Sequence, residues 1–145
     1  MDDQSIQENE KSKKRFLRRY QNNLSCISRL EAKLVILDER ITTIKSPNYS
    51  SMPRGGVPVT LEDLIADKDD LERRIKKLRV KGRDLKRSVY EAIDSLEDPR
   101  YCEVLEAHFI EGLDFGDIAE EMGYTERHVY TLYAEAIRCF SLPTQ

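Results

Sequence analysis

The sequence predicts an all-α protein: a long antiparallel coiled-coil helical hairpin followed by a three-helix helix-turn-helix domain. Three observations lead there. Apolar residues recur every seven positions through two long stretches, a cluster of prolines and glycines separates those stretches, and residues 115–137 have the spacing of two short helices joined by a glycine turn.

The first helix follows from the apolar register. Tyr20, Ile27, Leu34 and Ile41 take one core position and Phe16, Leu30, Leu37 and Ile44 the other, with Asn23 as the polar exception. The helix should end at Ser46-Pro47, because the residue before proline is pushed out of the helical region and proline cannot donate to the ladder. Residues 46–59 hold three of the five prolines and two of the six glycines, the composition of a loop.

Thr60 then opens a second helix, with Asp63 three residues later where a capping-box acid sits. Leu64, Leu71, Leu78 and Leu85 recur at the heptad interval; Ile75, Val89 and Leu96 fill the alternate position, which Lys68 and Gly82 interrupt. One connecting loop makes an antiparallel hairpin the simplest arrangement, pairing residues whose numbers add to roughly 105 to 109. A lone hairpin buries little, so the outer apolar residues Leu17, Leu24, Ile65 and Ile93 need cover from the C-terminal segment or from a second chain.

Asp98-Pro99 ends that helix and starts a third, aspartate being a good cap and proline being tolerated at the first helical position. The third helix should stop at Gly112. A fourth should begin after Asp114 and stop at Gly123, and a fifth should follow a Thr125 cap to about Cys139. The expected domains are therefore residues 1–96, the hairpin, and 97–145, the helix-turn-helix domain.

Composition limits what such a chain can do. Of 145 residues, 35% are charged and 39% hydrophobic, enough for amphipathic helices around a modest core. The longest apolar run is Leu34-Val35-Ile36-Leu37, far short of the ~18 residues a membrane helix needs, and the start MDDQSIQENE lacks the basic and apolar character of a signal peptide. No membrane partner is expected, and the expected location is the cytoplasm. Cys26, Cys102 and Cys139 are too widely spaced for a disulfide framework or a zinc knuckle and read as reduced core residues.

An enzyme is poorly supported. A di-iron bundle needs Glu three residues before each His, and Leu105 and Thr125 stand there before His108 and His128. No phosphate-binding glycine loop, nucleophile elbow or zinc spacing is present, so no catalytic residue, metal or cofactor is expected. His108 lies one turn from Leu105 and reads as a packed helix residue.

Residues 115–137, FGDIAEEMGYTERHVYTLYAEAI, carry the functional expectation. Ile118 and Met122 supply one buried face, Ala119 is small where two helices cross, Gly123 offers a left-handed turn, and Val129 and Leu132 dock the second helix. Any three-helix domain can place a glycine between amphipathic helices; the joint spacing is more specific than that. If Val129, Leu132 and Ala136 face inward, Glu126, Arg127, Tyr130 and Thr131 face outward at the end that enters the major groove in this motif. Arg127 suits a bidentate contact to guanine, Glu126 could accept from cytosine, and Thr131 could touch a thymine methyl or a phosphate. His128 could contact phosphate or cap and pack.

On these residues the segment YCEVLEAHFIEGLDFGDIAEEMGYTERHVYTLYAEAI resembles the region-four helix-turn-helix of sigma factors. More closely, it resembles the C-terminal domain of the small sigma-like regulators of Gram-positive phages and mobile elements, the ArpU/RinA-type late-gene regulators and their relatives. The shared pattern is "EGL", "IAEEMGY" and "ERHVY", and it extends weakly to the loop "SSMPRGG". The resemblance implies an all-α DNA-binding transcription regulator with Arg127, His128 and Tyr130 on its recognition helix. At Thr131 these families often have a basic residue.

Charge divides the chain. Residues 1–96 hold 21 Lys and Arg against 16 Asp and Glu; residues 97–145 hold 3 against 11. Phosphate contacts normally supply most of the affinity for DNA, so the basic runs should compensate: Lys11, Lys13, Lys14, Arg15, Arg18 and Arg19, and then Arg73 to Arg87. In that second run Arg79, Lys81, Arg83, Lys86 and Arg87 are the expected phosphate contacts. Both runs are equally well read as solvated flanks of a coiled coil. The expected partners are double-stranded DNA and a second copy in a homodimer. The alternative is a protein-interaction module that binds RNA polymerase or another protein through the acidic C-terminal segment.

Overall fold

The computed structural model describes residues 3–46 and 59–144, and the described residues form five α-helices and no strand: α1 (Asp3–Lys45), α2 (Leu61–Asp94), α3 (Pro99–Phe109), α4 (Phe115–Met122) and α5 (Glu126–Cys139). The all-α class is as expected. The loop expected at 46–59, with its SSMPRGG segment, lies outside the described residues except for Ser46 and Val59. Among the described residues no helix is long and apolar enough to cross a membrane.

The chain forms two compact units, one of residues 1–23 with 82–145 and one of residues 24–81. The boundary expected between residues 96 and 97 therefore falls inside a unit. Its physical cause is a shared core: Leu17 of α1, Val89, Ala92 and Ile93 of α2, Leu105 and Phe109 of α3, and Ala136 and Ile137 of α5 are buried in one apolar cluster with Ile110 and Phe140. Leu17 and Ile93, two of the outer residues expected to need cover, are wholly buried there by the chain's own C-terminal helices. A second cluster joins Val104 and Ala107 of α3 to Ile118 and Ala119 of α4 and to Val129 and Leu132 of α5.

Helix α1 starts at Asp3, well before the first heptad residue Phe16. Its early turns are held by a buried cation. Lys13 is 7% exposed, and its Nζ donates to the carbonyls of Ile137 (3.0 Å) and Arg138 (3.2 Å), which lie in the last turn of α5. A positive charge at a helix C-terminus is favoured by the helix dipole, and the aliphatic stem buries well. Further along, Gln21 Nε2 donates to the Ile110 carbonyl at 2.8 Å, just after α3 ends.

Asn23 is also buried, and its Oδ1 has no hydrogen-bond partner among the described residues. Gly82 of α2 stands opposite: a Cβ there would lie 2.7 Å from Asn23 Oδ1. The Asn23 break in the register of α1 thus meets the Gly82 break in that of α2.

In the second unit, α1 and α2 pair antiparallel. Lys68 Nζ lies 2.8 Å from Asp38 Oδ1, and Arg79 pairs with Glu31, so one helix descends in number as the other rises. Ile27, Leu30 and Ile75 are buried between them, with Leu34, Leu71 and Leu78 partly buried at the same seam. Lys68 interrupts the heptad but finds an acid across it. Thr60 and Asp63 exchange the expected capping bonds: Thr60 N donates to Asp63 Oδ2 (3.3 Å) and Asp63 N to Thr60 Oγ1 (3.2 Å). Leu24 and Ile65 remain 37% and 39% exposed in this unit.

The cysteines depart from expectation. All three are free, but Cys26 and Cys139 are exposed and Cys102 is half-buried, so none belongs to the fully buried core. Cys102 Sγ approaches the carbonyls of Ile93 (3.5 Å) and Leu96 (3.6 Å), while Cys26 and Cys139 fall on outer helix faces.

Candidate nucleic-acid interface

The candidate surface is built by four caps. Asp98 opens α3 by accepting from Arg100 N at 2.9 Å. Asp114 opens α4 by accepting from Asp117 N at 2.8 Å. Gly123 ends α4 in the left-handed region, φ 71°, and its N–H donates to the Ala119 carbonyl. A side chain there would be strained, so glycine is what allows the chain to turn. Thr125 Oγ1 then accepts from His128 N at 3.1 Å and opens α5.

These turns fix which side of α5 faces inward. Val129, Leu132 and Ala136 are at most 1% exposed and pack with Ile118 and Ala119 or with the core beyond them. Glu126, Arg127, His128, Tyr130 and Thr131 are all exposed on the opposite side. Tyr130, 51% exposed, is steadied by the Phe115 ring at 4.4 Å, and His128 meets Tyr124 edge-on at 4.7 Å. Thr131 Oγ1 donates to the Arg127 carbonyl at 3.1 Å, which uses its proton within the helix and leaves its lone pairs and methyl group outward. Arg127 takes part in no ion pair among the described residues.

His108 supports this surface from below. Its Nδ1 lies 2.9 Å from the Leu113 carbonyl, which can only accept, and its ring stacks on Phe115 at 4.7 Å and meets Tyr133 edge-on at 5.6 Å. It is a packed residue.

Around this face the electrostatics are mixed. Asp114, Asp117, Glu120 and Glu121 are exposed on and before α4. The Asp114 charge, with burial and an Asp114 hydrogen bond, pushes the Asp117 carboxyl above its ordinary range. Arg83, Lys86 and Arg87 lie exposed on α2 in the same unit as α5, with Lys86 Nζ 5.8 Å from the Tyr20 ring centre. Arg79 and Lys81 belong to the other unit, and there Arg79 is occupied by Glu31. The α1 run divides as well, since Lys13 is spent inside the fold. Lys13 reads in the sequence as one more member of a charge run; only the meeting of α1 with the end of α5 singles it out. Among the described residues no group of three or more His, Cys, Asp or Glu is placed to hold a metal ion.

A family model described as a protein of unknown function (DUF1492) matches residues 43–141. The chain belongs to this family. No curated protein and no solved structure matches it. The part shared with DUF1492 takes in α2 to α5 and the last residues of α1. Arg79 to Thr131 lie within the DUF1492 span, and the basic run from Lys11 to Arg19 precedes it.

Proposed function

We propose that this DUF1492 chain is a sequence-specific, double-stranded-DNA-binding transcription regulator of the phage or mobile-element type. In this reading α4, the Gly123 turn and α5 are a helix-turn-helix of the sigma region-four kind, and α1 with α2 is an antiparallel coiled-coil hairpin. The observation that carries it is the five-residue outer face of α5, Glu126, Arg127, His128, Tyr130 and Thr131, exposed together at the end where this motif meets base edges. Arg127 contacts guanine, Glu126 cytosine, and Thr131 a thymine methyl or a phosphate, while Tyr130 and His128 contact the backbone. Arg83, Lys86 and Arg87, in the same unit as α5, supply phosphate contacts.

The test is selection of bound sequences from a random duplex pool by the purified chain. Enrichment of a defined site is the expected result; its absence removes the reading.

One observation favours a second reading. Asp117, Glu120 and Glu121 are exposed beside the same face, a surface suited to a basic patch on RNA polymerase or another protein. Changing the three to Lys abolishes partner capture if that reading holds and leaves duplex selection intact if it does not. A homodimer would present two recognition helices to paired half-sites. Leu24, Ile65, Val35 and Ile36 are among the exposed apolar residues available to support it, and mass by light scattering at micromolar concentration decides it.

A further inference from the structure

The basic residues with the closest physical tie to α5 are those on α1, where they precede the DUF1492 span. Lys13 anchors α1 to the last carbonyls of α5, and Lys14 Nζ sits 5.8 Å from the centre of the Tyr133 ring. Burial pushes the Tyr133 phenol above its ordinary range and the Arg18 charge opposes that shift, so the guanidinium lies within electrostatic reach of α5. Lys14 and Glu10 line one cleft with Tyr133, Ala134, Ile137 and Arg138, and Ala134 and Arg138 continue the exposed face that begins at Arg127 and Thr131.

On α1 itself, Lys11, Lys14 and Arg18 fall at i, i+3 and i+7, hence on one side of the helix. Lys11 and Arg18 are exposed and Lys14 is half-buried. None of the three takes part in an ion pair among the described residues, whereas Arg73 and Arg79 of α2 each face an acid. From Lys11 to Arg29 the sequence has no acidic residue; Glu10, one turn before Lys14, is the nearest. Along the axis of α5, Arg127 and the Tyr133–Ala134 level are roughly 10 Å apart at 1.5 Å per residue. The major groove is ~12 Å wide, so a cation at that level is well placed to meet a bordering phosphate when Arg127 reads base edges.

We propose that Lys11, Lys14 and Arg18 form a phosphate-binding strip for the backbone of duplex DNA, flanking the exposed face of α5. This rests on the DNA-binding reading above and adds a contact set on a different helix from Arg79–Arg87. Because phosphates carry no base identity, the strip adds affinity for every duplex and sets no sequence preference.

The experiment is anisotropy titration of the full chain against a selected duplex and an unrelated duplex across a salt series, comparing wild type with Lys11→Gln/Lys14→Gln/Arg18→Gln. The variant should bind both duplexes about ten-fold or more weaker at low salt, with the logarithmic salt slope smaller by nearly three units, ~0.9 for each lost phosphate contact. Circular dichroism checks its helix content. If the triple variant unfolds, Lys11→Gln and Arg18→Gln singly should each flatten the slope by ~0.9.

Wild-type slopes in these variants overturn the strip while leaving the DNA reading standing. An equal flattening in Arg74→Gln/Lys76→Gln/Lys77→Gln, which removes the same charge from the other unit, also overturns it. Wild-type protein that binds no duplex, or only single-stranded RNA, removes both proposals.

Discussion

The two units are built from the same two long helices and bury their side chains very differently. In the unit of residues 1–23 and 82–145, turns of α1 and α2 pack with α3 and α5, and Leu17, Val89, Ile93, Leu105, Phe109, Ile137 and Phe140 are essentially inaccessible. In the unit of residues 24–81 only α1 and α2 meet, and the buried cluster shrinks to Ile27, Leu30 and Ile75, with Ile41 and Leu64 buried outside it. A heptad residue facing a single neighbouring helix keeps one flank in water, so Leu34, Leu71 and Leu78 stop at partial burial. Heptad repetition thus sets which residues face a partner, and the number of neighbouring helices sets how far they are buried.

The comparison breaks most plainly by truncating one core residue in each unit. Phe109→Ala removes a side chain that is 1% exposed and should cost about 3–5 kcal/mol of stability. Ile75→Ala, at 5% exposure between only two helices, should cost nearer to ~2 kcal/mol, the low end of the aliphatic range. Urea unfolding of both variants measures the two losses. Equal losses would mean that the seam of two helices is packed as well as the larger core.

The outer surface of the larger unit should behave in the opposite way. Arg127 is exposed and takes part in no ion pair among the described residues, so Arg127→Ala should leave stability within about 0.5 kcal/mol. Under the DNA reading it should lower discrimination by ~1–3 kcal/mol at one base position. Repeating the duplex selection with the variant checks this: an unchanged preferred site excludes Arg127 from base contact.

A third prediction concerns the cation inside the larger unit. Lys13→Met keeps the stem's volume but leaves the Ile137 and Arg138 carbonyls without their donor, and should cost about 1–2 kcal/mol. The exposed neighbour Arg15 should tolerate the same change within about 0.5 kcal/mol. Thermal melting of the pair separates a buried cap from a solvated charge.

The fourth lies where Asn23 meets Gly82. Glycine to alanine inside a helix normally stabilises by ~1 kcal/mol, but here the new methyl would meet Asn23 Oδ1 at 2.7 Å. Overpacking costs about 1–3 kcal/mol, so Gly82→Ala should be destabilising by ~1 kcal/mol net. Asn23→Ala/Gly82→Ala removes the clash and the unpaired oxygen together, and should be more stable than Gly82→Ala alone. A double-mutant cycle gives the coupling; additive effects would mean that the two residues do not share a layer.

What the sequence disclosed follows the range of the forces involved. The ends of α4 and α5 were legible because Asp114, Gly123 and Thr125 act on backbone within three or four residues of themselves. The inward set Val129, Leu132 and Ala136 is legible from helical period, and with it the outward exposure of Glu126, Arg127, Tyr130 and Thr131. The start of α1 is not, since residues 3–15 carry no heptad and are ordered by Lys13 and Leu17 docking on segments more than 70 residues away. The division read at residue 97 is likewise a local signal: Asp98-Pro99 punctuates the chain there, while the core formed by Val89, Ile93, Leu105 and Ile137 lies on both sides of it. Cysteine is small and apolar enough to suit a core, but its placement is decided by the helix face it falls on, and Cys26 and Cys139 fall outside.

The smallest expected effect comes from charge crowding in the larger unit. Burial, reinforced by the negative charges of Asp94, Glu111 and Glu103, pushes the half-buried Glu106 carboxyl above its ordinary value near 4.5. The folded chain therefore holds this proton more tightly than the unfolded chain does, and ionising Glu106 opposes folding. Below the unfolded value the carboxyl is protonated in both states and Glu106→Gln should change nothing. As pH rises through the interval between the unfolded and folded values, the wild type loses stability that the variant keeps, and above the folded value the difference should level off. Partial exposure screens the interaction, so the plateau should be below ~1 kcal/mol in favour of the variant. Stability curves of the pair between pH 3 and pH 8 test the sign. A variant that is less stable than wild type at neutral pH would show that Glu106 gains more from contacts as an anion than it loses to its acidic neighbours.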